Sequence, residues 1–289
     1  MIHLGTSENY QEGIWDLMDP CEDCGSSHAD NPSDPALLIA LAAKRCYMSF
    51  EPGLNPNVNK VRKDWTEYLD NVLKSKHGSV CEHSVFTFAI EGVSRVFTGE
   101  MNRHRAGVGI SEGSMRYIRY DNIPWWLPTS LQLTEVEMAA LNKLLLDHES
   151  LFDLDMSLLA EDVRLAVKKH RTLVEVFQPV FEFVENKYTL GREIWKDELA
   201  ETSKFAGKKH VTSMLRRIIP MGVATGGVWT MNIRALRHIL ALRASEQAEE
   251  EILHVFSRIG MEMVKFEPSL FGDFEQTPEG FWVPKYAKV

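Results

Sequence analysis

Apolar positions recur at helical spacing from Pro35 to about Met48 and again from Val58 to Lys74, with Pro52, Gly53 and Pro56 marking a loop between them. From Val85 to Ile90 the period shortens to two. Phe86, Phe88 and Ile90 share one face, and Val85, Thr87 and Ala89 share the other. Both faces are apolar or β-branched, which predicts a central strand covered on both sides. Ser94 is placed to cap a short helix reaching about Arg105, which Gly107 and Gly109 then end. Ile110 to Tyr120 reads as extended.

Helical periodicity dominates the second half. Thr134 and Glu137 form a capping-box pattern ahead of Met138 to Leu145. Further helical stretches cover Leu158 to Val184 and Trp195 to Met214; Pro220 opens a glycine-rich connector, and one long helix is predicted from about Asn232 to Met263. No internal repeat or low-complexity tract interrupts the pattern. The fold class that follows is α+β (mixed α/β): a central antiparallel or mixed sheet with flanking helices and a helix-rich C-terminal half.

Composition narrows the function classes. With 289 residues, 44% of them hydrophobic, the chain can bury a sizeable core. A net charge of −9 repels nucleic acid and anionic membrane, so any anionic substrate needs a local basic cluster. The longest uncharged stretch, Ile218 to Ile233, is too short and too rich in Gly and Pro to span a bilayer. No signal peptide is visible from Met1 to Asp16, and a cytoplasmic protein with neither a nucleic-acid nor a membrane partner is expected. The four cysteines are too few for a disulfide scaffold. Cys21-x-x-Cys24 with His28 resembles half a zinc site, but no second pair follows, so Asp19 to Pro35 is read as a loop without metal. Cys81 beside His83 reads as a small buried hydrophobe in preference to a nucleophile. No Gly-x-Gly-x-x-Gly motif follows a strand.

The candidate chemistry lies in two basic segments. Arg103-His104-Arg105 precedes Ser111-Glu112-Gly113-Ser114-Met115-Arg116-Tyr117 around a Gly-rich bend. Arginine forks next to backbone amides hold phosphate, Ser114 with the amides of Gly113 to Arg116 could complete an anion nest, and Glu112 could bind a ribose or ring N–H. The same residues also read as an exposed helix end with solvated charges. In the last long helix, Leu236, Leu240, Arg243 and Gln247 share a stripe. A cation on an apolar line needs an acceptor, from an internal ion pair or from a substrate.

These segments resemble the flavin-dependent thymidylate synthase (ThyX) family. Its signature is Arg-His-Arg, seven residues and then Ser, in a run ending Ser-x-Arg-Tyr; here Arg103 to Tyr117 carries it with eight intervening residues. Glu82 to Phe88, Glu91 to Arg95, Arg45 to Ser49, Arg216 with Pro220, Asn232 to His238 and Leu242 to Glu246 match in the same order. Glu100 stands where the family usually has Gln, Ser111 where Asn is frequent and Gln247 where His is frequent.

The resemblance implies a single catalytic domain over residues 1–289, with an inserted loop at about 17–35 and a longer helical insertion at about 131–209. It implies a homotetramer with sites between subunits. Ser49, Arg103, His104, Arg105, Glu112, Asn232, Arg234 and His238 would touch FAD. Glu100, Arg103, Glu112, Gly113, Ser114, Met115, Arg116, Arg216 and Arg243 would surround the nucleotide, with Arg243 and Ser114 as the catalytic pair and no metal. The reaction it implies is reductive methylation of dUMP to dTMP, with NADPH and methylenetetrahydrofolate as co-substrates. The longer bend and Glu100 leave open UMP or another pyrimidine nucleotide, and a non-catalytic nucleotide- or RNA-binding role is the remaining alternative.

Overall fold

Ser33 opens the first helix: its backbone is extended and its hydroxyl accepts from the Ala36 N–H, as expected for a cap ahead of Asp34-Pro35. In this computed structural model the described residues are 33–50, 53–58, 60–62, 64–147, 151 and 155–287. Most of the loop predicted around Cys21, Cys24 and His28 lies outside them. The elements in order are α1 (Asp34–Tyr47), α2 (Trp65–Lys74), β1 (Val85–Ser94), α3 (Arg95–Met101), β2 (Val108–Glu112), α4 (Glu135–Asp147), α5 (Glu161–Arg171), α6 (Gln178–Ile194), α7 (Phe205–Leu215), β3 (Ala224–Asn232), α8 (Ile233–Arg243), α9 (Glu250–Phe266), β4 (Phe274–Gln276) and β5 (Trp282–Pro284), with shorter helical turns between some of them. The fold is α+β and helix-rich, with small antiparallel sheets.

Two compact units divide the chain. The first holds the described residues up to Phe88, Met101–Ile110 and those from Val228 onward; the second holds Ala89–Glu100 and Ser111–Gly227. In the first unit, α8 contributes Leu236, Ile239 and Leu240 and α9 contributes Ile252, Phe256 and Met263 to one core. Gly260 permits this close packing, because a Cβ there would lie 2.9 Å from Leu240 Cδ1. The β4–β5 hairpin closes onto the same helices: Trp282 donates from its backbone to Ala244 O at 2.9 Å and from its indole to Ser257 O at 3.2 Å. In the second unit, Tyr120, Ile123, Val184, Tyr188, Ile219 and Val223 form one cluster, and Leu141, Leu151 and Val167 form another. Glu185 Oε1 accepts from Ile123 N at 3.2 Å and Trp125 Nε1 at 3.1 Å, which fixes the loop holding those two residues to α6.

Several expected elements are corrected. The helix expected from Val58 begins only at Trp65, because Asp64 is extended and its carboxylate caps the Glu67 N–H at 2.7 Å. β1 is longer than read and sits at an edge of the sheet order β1-β3-β2. Its side chains from Val85 to Glu91 alternate between exposed and half-buried, so it is not covered on both faces. The helix after Ser94 stops at Met101, and regular extended backbone after Ile110 ends at Glu112. The glycine-rich connector is the central strand, β3: Trp229 and Met231 are fully buried at period-two spacing. Glycine at 226 leaves room for the Glu91 carboxylate, which a Cβ would meet at 1.9 Å. The single long helix is two. α8 ends at Arg243, with Ala244 as its C-cap, and Glu249 restarts the chain by capping Glu251 N at 2.9 Å and Ile252 N at 3.3 Å. Gln247 therefore falls between the helices and not on a stripe with Arg243.

Candidate functional site

In the first unit the expected flavin residues gather at the start of α8. Asn232 is extended, and its side chain accepts from Ala235 N at 2.8 Å, satisfying one of the helix's orphan donors. Its own N–H donates to Gly107 O at 2.9 Å. Gly107 has φ +70°, and a Cβ there would lie 2.5 Å from Asn232 Nδ2. The bend glycine thus serves both a left-handed turn and a close approach. Arg234, on the first turn, pairs with Glu82 at 2.6 Å, each side chain about half exposed. Such a half-exposed pair adds little stability. His238 follows one turn on and is exposed.

These residues line a cavity of about 390 Å3 that also takes in Glu82, Gly107 and Ala241. Its volume falls within the range of ligand sites, roughly 300–1,000 Å3. Arg103 and Arg105 are exposed. His104 is half-buried, and its Nε2 accepts from Arg243 Nε at 2.9 Å. A nitrogen that accepts carries no proton, so His104 is held as the Nδ1–H tautomer in this arrangement. Arg243 is half-buried at the end of α8, where a cation also complements the helix dipole. Ser49 lines a separate cavity of about 270 Å3, so it is not gathered with Asn232, Arg234 and His238.

In the second unit Arg95 holds two of the expected nucleotide residues. Its guanidinium forms an ion pair with Glu112 and donates to Gly113 O, while its backbone N–H donates to Met221 O at 2.9 Å. Burial lowers the Arg95 pKa, the neighbouring Tyr120 opposes this, and the Arg216 charge adds to the lowering. Gly113 N donates to Gly226 O at 2.9 Å, so that amide belongs to the sheet and not to an anion nest. Ser114 starts a tight turn: its carbonyl accepts from Tyr117 N at 2.9 Å and Ile118 N at 3.1 Å, and its hydroxyl accepts from Arg116 N at 3.4 Å. Met115 packs on the Tyr120–Ile123 cluster. Arg116 is exposed and lies over the Tyr117 ring, which stacks on Phe205 with centroids 5.8 Å apart. Glu100 and Arg216 are half-buried. Among the described residues no group of three or more His, Cys, Asp or Glu could hold a metal, and no helix is long and apolar enough to cross a membrane.

Sequence reading did not single out three residues of these surroundings. Arg95 organises Glu112 and Gly113; it ends the matching Glu91 to Arg95 segment, which assigns it no role. Glu82 reaches Arg234 from 152 positions away. Arg237 is 3% exposed and bidentate to Asp273 at 2.6 and 2.8 Å. A buried arginine in the motif Leu236-Arg237-His238 could have been flagged by its apolar neighbours.

Comparison with known proteins identifies the family. The profile described as thymidylate synthase complementing protein (Thy1) matches residues 29–269. A flavin-dependent thymidylate synthase of Mycobacteroides abscessus is 29% identical over 246 residues, covering 85% of this chain and 82% of that protein. One from Geobacter sulfurreducens is 28% identical over 247 residues, covering 83% and 82%. Among solved structures, a UMP/dUMP methylase, PolB, from Streptomyces cacaoi bound with 5-Br dUMP superposes with a TM-score of 0.53 at 18% identity, covering 84% of this chain and 90% of that one, a likeness of fold. With the profile spanning most of its length, the chain belongs to the thymidylate synthase complementing protein family, a family of FAD-dependent methyltransferases.

Proposed function

We propose that the protein converts dUMP to dTMP by reductive methylation, taking the one-carbon unit from methylenetetrahydrofolate and reducing equivalents from NADPH through FAD. The observation that carries this reading is the Arg243–His104 contact at 2.9 Å: a guanidinium held in place at the end of the motif-bearing helix. The names of the Mycobacteroides and Geobacter relatives support it.

The residues in the first unit suit FAD. On one cavity, Arg234 provides a cationic donor and His238 a ring N–H for a dinucleotide's phosphates. Asn232 and Glu82 add neutral and acidic partners for ribose and ring N–H groups. FAD, when bound, supplies the redox chemistry and carries the one-carbon unit to the pyrimidine. The protein's residues do the rest. Arg243 stabilises negative charge on the pyrimidine ring as nitrogen-3 ionises, an electrostatic contribution. Arg116, Arg216 and the Ser114 hydroxyl take the nucleotide phosphate, with Arg103 and Glu100 completing the set and Arg105 added to the flavin contacts. Arg95 holds Glu112 and the Gly113 carbonyl, fixing the position of the turn that carries Ser114 and Met115. The reading includes a single catalytic domain with residues 131–209 as its helical insertion, and a homotetramer whose sites draw on more than one copy.

The test is a single-turnover assay of the flavin-loaded, NADPH-reduced protein with methylenetetrahydrofolate, using dUMP or UMP, with products identified by mass. dTMP from dUMP is expected. A preference for UMP of more than about tenfold, roughly 1.4 kcal/mol, overturns the dUMP assignment. The eight residues between Arg105 and Ser114 make UMP the comparison that matters.

A further inference from the structure

The cavity that holds Asn232, Arg234 and His238 is not built from the family's matched segment alone. The family match ends at residue 269, yet Phe274, Pro284 and Tyr286 line the same cavity. These residues sit on or directly after the β4–β5 hairpin. We propose that this C-terminal strap, with Tyr286 at its end, forms a wall of the FAD site and is a positioning element for the cofactor in this protein. The proposal rests on the functional reading above.

The strap is held by a set of directed bonds. Asp273, just before β4, accepts from both terminal nitrogens of Arg237. The same carboxylate accepts from Tyr286 N at 3.1 Å, and Lys285 N donates to Asp273 O at 2.8 Å. Arg237 also donates to Leu270 O and, at 3.4 Å, to Tyr286 O. Arg237 is on α8, one position before His238, so a single buried ion pair ties the cavity's helix to the strap. A bidentate pair of this kind fixes geometry as well as charge. The far end is fixed separately, by Tyr286 Oη donating to Asp70 at 2.7 Å from α2. Side chains that line a cavity and are held at both ends lose little freedom when a ligand arrives, and such preorganisation strengthens binding. The cavity then offers two kinds of wall: the Arg234 guanidinium on α8 for phosphate, and the half-buried ring of Tyr286, backed by Phe274, for a flat ring system.

The test is a titration of flavin-free full-length protein with FAD, followed by flavin fluorescence, in parallel with the melting temperature of the flavin-free form. Tyr286→Ala is expected to raise the Kd for FAD by about tenfold, while Tyr286→Phe, which keeps the ring, stays within about threefold of the parent. A chain truncated after Lys285 should lose at least as much affinity as Tyr286→Ala, and the flavin-free melting temperature should stay within about 2 °C of the parent for the two point variants, which keep the backbone bonds of residue 286 to Asp273 and Arg237. FAD affinity within twofold of the parent for both Tyr286→Ala and the truncated chain overturns the proposal and leaves the functional reading intact. A loss of affinity that tracks an equal loss of flavin-free stability overturns it as well, because the strap would then act on folding alone. Failure of the parent chain to bind FAD overturns both, and is distinguished by being seen before any substitution.

Discussion

Arg243 Nε donates to His104 Nε2 at 2.9 Å, joining the last turn of α8 to the middle of the Arg103-His104-Arg105 motif across 139 positions of sequence. The contact helps to orient the guanidinium. Replacing Arg243 with Ala should lower turnover of dUMP by at least about a hundredfold, roughly 2.7 kcal/mol of lost transition-state stabilisation. The fold should survive. Arg243 is half-buried at a helix end, where the dipole contribution and the histidine contact are together worth about 1–2 kcal/mol. Steady-state rates and thermal melts on the same preparation check this, and a rate within threefold of the parent would sink the assignment. His104→Ala should cost less, about tenfold, because Arg243 keeps its charge when its orienting acceptor is lost.

Gly107 and Asn232 form a second pair whose effect can be isolated. Alanine at 107 is strained by φ +70° and would place its Cβ against the Asn232 side chain at 2.5 Å. Asn232 must then leave its cap on Ala235 N. The left-handed conformation costs an L residue about 1–2 kcal/mol, and loss of a cap costs about 1 more. Urea unfolding of Gly107→Ala should therefore show a loss of about 2–3 kcal/mol. Bound flavin should fall in the same variant, because Asn232 lines the cavity. A change under about 0.5 kcal/mol would show that the bend accommodates the methyl group by moving away from Asn232.

Local signals were legible in the sequence, and long-range ones were not. The Thr134–Glu137 capping box appears as read, with Thr134 N donating to Glu137 at 2.8 Å and Glu137 N to Thr134 Oγ1 at 3.2 Å. Ser94 caps α3 as expected, accepting from Val96 N at 3.0 Å. Both depend on residues within three positions of one another. β3 was hidden because Gly226 and Gly227 dilute its alternation, and the reason for glycine at 226, the Glu91 carboxylate, comes from another strand. The α8–α9 break was hidden because Ala244, Gln247 and Ala248 are ordinary helix formers; only the cap at Glu249 marks the restart. At the site, motif matching picked out Asn232, Arg234, His238, His104 and Arg243, and the first three share a cavity. Arg95, Glu82 and Tyr286 owe their places to partners between 17 and 216 positions away, which no periodicity encodes.

Arg95 gives a stability prediction of opposite character to Arg243. Its pair with Glu112 is mostly buried, the two side chains being 15% and 16% exposed, and the same guanidinium satisfies Gly113 O. Arg95→Met removes the cation and leaves a carboxylate and a carbonyl without it in a poorly solvated place. Breaking one side of a fully buried pair costs about 3–5 kcal/mol, and the residual solvent access here reduces that to about 2–3. Arg95→Met with Glu112→Leu should recover at least half of the loss, since no charge is then stranded. A double-mutant cycle by urea unfolding measures the coupling directly, and additive effects would mean that Arg95 and Glu112 do not stabilise one another.

Cys81 predicts how the protein fails at high pH. The residue is fully buried after α2, in the short helical turn Gly78–Glu82. Burial pushes its thiol from 9.0 up to about 11, with the positive fields of Arg237 and Arg234 opposing the rise. The folded-state pKa is thus raised, so the contribution to stability is complete below pH 9.0, where the thiol is protonated in both states. Between pH 9.0 and about 11 the unfolded chain ionises while the folded chain must stay protonated, and stability falls with each step in pH. At 1.36 kcal/mol for each unit, the whole window is worth about 2–3 kcal/mol. Cys81→Ala removes the titrating group at the cost of a small cavity, so it should be less stable than the parent at pH 8 by about 1 kcal/mol. Its stability should then decline less steeply from pH 9 to 11, and the two curves should converge or cross within that window. Urea midpoints at half-unit intervals of pH decide the matter: parallel curves would show that the thiol ionises as readily in the folded protein as in the unfolded chain.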